Sequence, residues 1–267
     1  MKEKAILWIF TIINLTLLIY GITTNPYVTT PVFFALILQL LVITYLKIRK
    51  ILKTERLNRF TYDRIDALLS IHQLLKFRHP LPVMGSWAIS SDYAYLFIQH
   101  IFQNSKGDVL DVGSGITTLL AGYALEKRGE GKVISLEHDK SYYNEMQRLI
   151  RLHELEHVVD LYYCPLINHT LNGKKWLWYD VSAVKNLANV NLISVDGPPE
   201  STQSLARYPM APVILPQVGS NPTILLDDGA RTGEKNIAKK WASEYNLSAK
   251  YLKIAKGLFI FKKNEVG

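Results

Sequence analysis

One glycine turn and four acidic positions carry most of the chemistry this chain can offer. Asp111-Val112-Gly113-Ser114-Gly115 closes a short apolar run. Glycine at 113 and 115 lets the backbone pass close to a ligand with no Cβ in the way, and a helix starting just beyond the turn has free amides to offer. Asp111 narrows the choice of ligand. A carboxylate there repels a pyrophosphate and suits a cofactor with a cationic amino-acid portion, held directly or through water. Glu137 ends the next apolar run, 24 residues after Gly113, at the place where a carboxylate accepts bonds from two ribose hydroxyls. His138 follows it, beside the nucleoside position. Asp196 and the Asp227-Asp228 pair end two later runs. An acid ending a strand also caps turns, and Asp196-Gly197 is a common turn pair in its own right.

These positions need a scaffold, and the pattern around them supplies one. Short apolar runs at 108–112, 132–137, 158–163, 191–195 and 223–226 predict strands. Polar stretches at 90–103, 117–127, 141–155 and 231–245 predict helices between them. Strands alternating with helices imply a mostly parallel sheet covered on both faces. Two closing runs, 249–254 and 258–262, are joined by only a short turn, so they pair antiparallel. Ligands of such sheets bind beyond the carboxyl ends of the strands, which is where Asp111, Glu137, Asp196, Asp227 and Asp228 fall. Trp176 and Trp178 alternate in a further strand or lid, with core packing as their simplest use.

Val109-Leu110-Asp111-Val112-Gly113-Ser114-Gly115, followed by Ile134-Ser135-Leu136-Glu137-His138-Asp139, resembles the class I S-adenosylmethionine-dependent methyltransferase superfamily over Trp87 to Lys263. The resemblance implies a Rossmann-like α/β fold: a seven-stranded, mostly parallel sheet with an antiparallel last strand. It also implies S-adenosyl-L-methionine as cofactor, held by Asp111, Gly113, Ser114, Gly115, Glu137 and His138. The third glycine of the fullest signature is replaced by Thr117. Val195-Asp196-Gly197-Pro198-Pro199 and Leu226-Asp227-Asp228-Gly229 look like the branch containing small-molecule O-methyltransferases, some of which hold Mg2+ with acids at these two places. Carried over, the metal ligands are Asp196, Asp227 and Asp228, although the asparagine often found after the second acid is absent. Asp196 is the candidate catalytic base.

The formal net charge is +8, of which residues 1–57 carry +5 and the rest +3. The excess flanks two apolar blocks, Ala5 to Ile22 and Pro31 to Ile48. Each is close to the ~20 residues that cross a hydrocarbon core. Basic residues precede the first block and lie at or beyond the end of the second, and none lies between them, so the positive-inside rule puts both ends in the cytoplasm. No cleavage pattern of a signal peptide follows the first block. A buried helical hairpin is the competing reading. The expected organisation is a two-helix transmembrane hairpin over 1–49, joined by a polar turn at Gly21 to Pro26, a helical connector over 50–86, and the methyltransferase-like domain over 87–267. The expected partners are the membrane and a small-molecule or lipidic acceptor methylated at oxygen. The expected location is the cell membrane, with the soluble domain facing the cytoplasm. No long basic stripe interleaved with aromatics points to nucleic acid. The single cysteine, Cys164, makes no internal disulfide. Two other functions share this pattern. A nicotinamide-dependent oxidoreductase favours a third glycine after Gly115 and no acid at Asp111. A non-catalytic, membrane-associated binding protein keeps the fold alone.

Overall fold

The computed structural model describes residues 11–264 apart from 18, 22, 24–25, 86–87, 104–105 and 220. Lys2, Lys4, the opening of the first apolar block, Thr24-Asn25 of the expected turn and Trp87 lie outside the described residues. The chain forms two compact units, Met1–Thr61 and Tyr62–Gly267.

In the first unit the described residues between 11 and 23 are helical, Gly21 and Thr23 included, and helix α1 (Pro26–Leu74) follows. Gln39 joins the two stretches. Its Nε2 donates to Thr11 Oγ1 at 2.6 Å, and its Oε1 accepts from Asn14 Nδ2 at 3.0 Å. The expected transmembrane hairpin does not stand. The apolar stretch from Pro31 to Ile48 is no separate span: it runs without a break into Arg49, Lys50 and Lys53 of one 49-residue helix. Among the described residues no helix is long and apolar enough to cross a membrane. The membrane tether, the membrane partner, the lipidic acceptor argued from it and the cell-membrane location with a cytoplasm-facing domain fall with that finding.

The second unit is built on a seven-stranded sheet. Its strands are β1 (Asp108–Val112), β2 (Val133–Glu137), β3 (Val159–Tyr163), β6 (Val190–Val195), β7 (Thr223–Leu226), β8 (Leu247–Leu252) and β9 (Leu258–Lys263), in spatial order β3-β2-β1-β6-β7-β9-β8. Pairing is parallel from β3 through β7. β9 runs antiparallel to both its neighbours, as the short turn before it requires. Between β3 and β6 a separate antiparallel hairpin forms from β4 (Leu166–Leu171) and β5 (Lys174–Tyr179).

Successive strand residues point to opposite faces, and each face builds its own core. Val109, Val133, Leu192 and Leu225 pack with Phe97 and Ile101 of helix α2 (Ser91–Gln103) and Leu119 and Leu120 of helix α3 (Ile116–Arg128). Ala67, Ile71 and Leu75, four residues apart, are buried as well, and Ile71 and Leu75 join this core. On the other face Leu110, Ile134, Ile193 and Ile224 pack with Trp178 of β5, Met210 of helix α5 (Met210–Ile214) and Trp241 of helix α6 (Thr232–Glu244). Helix α4 (Lys140–Leu152) buries Met146 and Ile150. Cys164 is buried, and burial pushes its thiol up to about 12, so it stays protonated and inert.

Candidate functional site

At the carboxyl ends of the parallel strands lies a cavity of about 930 Å³. The switch point of the strand order is between β1 and β6, where chain connections depart to opposite sides. There the turn after β1 meets the turn after β6. Gly113 has φ +101°, and a Cβ on it would sit 2.8 Å from the Gly197 nitrogen, so glycine is required on both counts. Gly115 is different. Among the described residues the only atom within 4 Å of a Cβ built there is Tyr142 Oη at 3.7 Å, so its bare Cα faces open cavity.

Asp111 is fully buried and does not line the cavity. Its Oδ2 accepts from Thr117 Oγ1 at 2.8 Å and Thr118 Oγ1 at 2.7 Å, which ties β1 to the first turn of α3. Among the described residues its Oδ1 has no partner. Burial pushes this carboxyl up to about 7, against the hydroxyls of Thr118, Thr117 and Ser194. Folded Asp111 therefore keeps a proton that an ordinary carboxyl near 3.8 has lost. Its stabilising share is complete below 3.8 and is lost as pH rises through about 7. Asp111→Asn is expected to raise the melting temperature at pH 8 by roughly 5 °C and to flatten the wild-type decline between pH 4 and 8. Thermal melts across that range check this. An Asn variant that melts lower at pH 8 contradicts it.

Glu137 lines the cavity and is held by three donors. Its Oε1 accepts the backbone N–H groups of His138 and Asp139, each at 2.8 Å, and its Oε2 accepts Ser114 Oγ at 2.7 Å. The glycine turn and the second strand end are thus locked together through one carboxylate. A carboxylate has about four acceptor sites, so one remains toward the cavity. His138 also lines the cavity, with its Nδ1 3.2 Å from Glu137 Oε1.

Asp196, Asp227 and Asp228 converge, with one ligand atom from each within 4.8 Å of the others. Asp196 and Asp228 line the cavity; Asp227 lies behind them, fully buried, and among the described residues neither of its oxygens has a partner. Burial pushes the Asp196 and Asp227 carboxyls up together, to about 6 and about 7. Arg207, almost wholly buried, places Nη2 2.9 Å from Asp196 Oδ1 and 2.9 Å from Asp228 Oδ2, and Nη1 3.1 Å from the Asp227 carbonyl oxygen. Burial opposes its charge, but Asp196, Asp228, Glu234 and Asp227 outweigh that and push the guanidinium up. Arg231 Nη1 adds a contact to Asp228 Oδ2 at 2.8 Å. A magnesium ion needs carboxylate oxygens at about 2.0–2.1 Å in an octahedron. The guanidinium already takes Asp196 Oδ1 and Asp228 Oδ2 and brings its own positive charge, so these residues do not fit the ion the sequence pattern implies.

The cavity therefore gathers Gly113, Ser114, Gly115, Glu137, His138, Asp196 and Asp228 on its wall. Asp111 and Asp227 stand one layer behind. Sequence reasoning missed Arg207 and Tyr179. Tyr179 lines the cavity at the end of β5, its hydroxyl buried and, among the described residues, without a partner. Burial, with Glu137 second, holds that phenol well above its ordinary range, so it remains a donor.

The seven-stranded order, the glycine turn after β1 and the acid after β2 define a class. The chain has the Rossmann-like fold seen in solved structures of S-adenosylmethionine-dependent methyltransferases. It is similar to the SAH-bound methyltransferase PaMTH1 of Podospora anserina, at 14% identity over 79% of this chain and 96% of that one, with a TM-score of 0.57. It is also similar to the O-methyltransferase TomG of Streptomyces achromogenes in complex with SAM, at 11% identity over 68% and 83% of the two chains, TM-score 0.50. Cofactor-bound Rv0187 from MTB matches at 12% identity over 76% and 90%, TM-score 0.50. No family model matches the sequence, and no curated protein matches it.

Proposed function

We propose that this protein is an S-adenosylmethionine-dependent methyltransferase acting on a small-molecule acceptor. One observation carries the reading: a single cavity of about 930 Å³ runs from the glycine turn and Glu137 to Asp196. That volume is near the upper end of the ~300–1,000 Å³ of small-molecule sites, enough for a cofactor and an acceptor side by side. Its charge agrees. Glu137, Asp139, Asp196, Glu200 and Asp228 line it against Arg207 and Arg231, and both arginines are already paired with acids. An electronegative cavity favours a sulfonium and an ammonium over a pyrophosphate. The SAH-, SAM- and cofactor-bound states named for the similar structures are consistent with it.

In this reading Gly113, Ser114 and Gly115 line the amino-acid portion of the cofactor, with Asp111 stiffening the turn from below. Glu137 accepts the ribose hydroxyls, and His138 flanks the nucleoside. The cofactor supplies a methyl group on a sulfonium, ready for a nucleophile. The chain's own work is to align that nucleophile, which accounts for much of such a reaction, and to take its proton. Asp196 is placed for the proton: Arg207 holds its Oδ1, and among the described residues nothing hydrogen-bonds its Oδ2.

Isothermal titration of the full-length protein tests the reading. S-adenosylmethionine and S-adenosylhomocysteine are expected to bind with micromolar dissociation constants, and NAD not at all. Tight NAD binding without S-adenosylmethionine binding would transfer the site to the oxidoreductase class. Binding of neither would leave the fold without this activity.

A further inference from the structure

We infer that Arg207 occupies the place of a divalent cation in the carboxylate cluster at the ends of β6 and β7, so the site carries its counter-charge within the chain. The inference deepens the methyltransferase reading, but its metal measurements stand whether or not methyl transfer occurs.

Three carboxylates, Asp196, Asp228 and Glu234, lie within 4.0 Å of one guanidinium. Both hydrogens of Nη2 are used, one on Asp196 Oδ1 and one on Asp228 Oδ2, each at 2.9 Å. Nη1 donates to the Asp227 carbonyl at 3.1 Å and faces Glu234 Oε1 at 4.0 Å. A planar fork linking carboxylates from two strand ends is work for arginine; a lysine ammonium is a point charge and does not reproduce it. The arginine is also fixed from behind. It lies in the segment between Pro199 and α5, where Tyr208 N donates to the Leu205 carbonyl at 2.9 Å and Met210 N to the Arg207 carbonyl at 3.2 Å. Its side chain is 4% exposed, so it cannot swing out to admit an ion without unpacking that segment.

Asp227 stands apart: its two oxygens are buried and, among the described residues, without partners. Arg207 reaches that residue only through its backbone carbonyl. Without the arginine, Asp196, Asp227 and Asp228 already present oxygens within 4.8 Å of one another, close enough to share a hard ion. The cluster thus has the donors of a metal site, and an arginine already bridges two of its three carboxylates.

The test uses full-length protein and Mn2+ as the probe, followed by calorimetry and by thermal melts with and without EDTA. Wild type is expected to show no stoichiometric Mn2+ binding and no EDTA-sensitive melting. Arg207→Met is expected to acquire one Mn2+ site per chain. At about 100-fold over its dissociation constant the ion is expected to raise that variant's melting temperature by about 5–10 °C. Arg207→Lys, which keeps the charge, is expected to stay metal-free. The inference is overturned if wild type binds one Mn2+ and loses it in Asp196→Asn, or if folded Arg207→Met binds none. Should Arg207→Met fail to fold, the wild-type titration decides alone. Cofactor titration on the same samples separates this outcome from the fate of the methyltransferase reading.

Discussion

Glu137→Gln is expected to weaken S-adenosylmethionine binding by on the order of 100-fold or more while the protein still folds. Two losses add. On the ligand side a carboxylate accepts two ribose hydroxyls, and each hydrogen bond to a charged group contributes about 1.5–3 kcal/mol. On the protein side Glu137 accepts from His138 N, Asp139 N and Ser114 Oγ together. A glutamine keeps one acceptor oxygen and turns an NH2 toward at least one donor. Either the His138–Asp139 turn or the Ser114 link opens, and the glycine loop loses its fixed spacing from β2. Ser114→Ala removes only the 2.7 Å link and is expected to cost about tenfold. Calorimetry with S-adenosylhomocysteine measures both variants, with melting curves confirming the fold. If Glu137→Gln binds within about threefold of wild type, Glu137 does not hold the cofactor.

Much of this site was legible because strands buried on both faces read as mostly apolar runs, and the acids ending them stand out. Val133 to Leu136 followed by Glu137 is such a case, and Asn191 to Val195 followed by Asp196 is another. The direction of each acid was less legible. Asp111 looked like a wall of the ligand site; two hydroxyls one helical turn away, Thr117 and Thr118, draw it beneath the loop instead. The β4–β5 hairpin left only the alternation of Trp176 and Trp178 as a trace. Its other strand carries Asn168 and Thr170 on a largely exposed ribbon, with none of the apolar continuity that announces a central strand. Arg207 left no spacing signal at all. It sits 11 residues after Asp196 and 21 before Asp228, in an otherwise apolar segment. The only hint was an excess of acids with no named counter-charge. The N-terminal blocks misled for the opposite reason. Composition marked where apolar residues lie, but not that the second block and the charged stretch after it form one continuous helix.

That missing counter-charge also bears on the chemistry, through Asp196. Asp196→Asn is expected to lower kcat by about 10²–10⁴-fold, the usual range for a general base, and to leave the dissociation constant for S-adenosylmethionine nearly unchanged. The second expectation follows from position: Asp196 stands at the end of β6, across the cavity from the Glu137 turn. The pH dependence gives the sharper check. Burial pushes the Asp196 carboxyl up to about 6; Arg207 pulls it back, and Asp228 adds to the rise. A base works only when ionised. Wild-type kcat/KM is therefore expected to fall about tenfold per unit of pH as the solution is taken below that value, and to level off above it. The Asn variant has no such group and is expected to lose this acidic limb. Asp227 titrates with Asp196 but does not line the cavity, so Asp227→Asn is expected to shift the limb and keep most of kcat. The opposite result, with activity surviving in Asp196→Asn and collapsing in Asp227→Asn, would move the base one layer deeper. It would also make the free oxygen of Asp196 a bystander. Arg207 separates the two outcomes physically, because it fixes the Asp196 side chain and leaves the Asp227 carboxylate untouched.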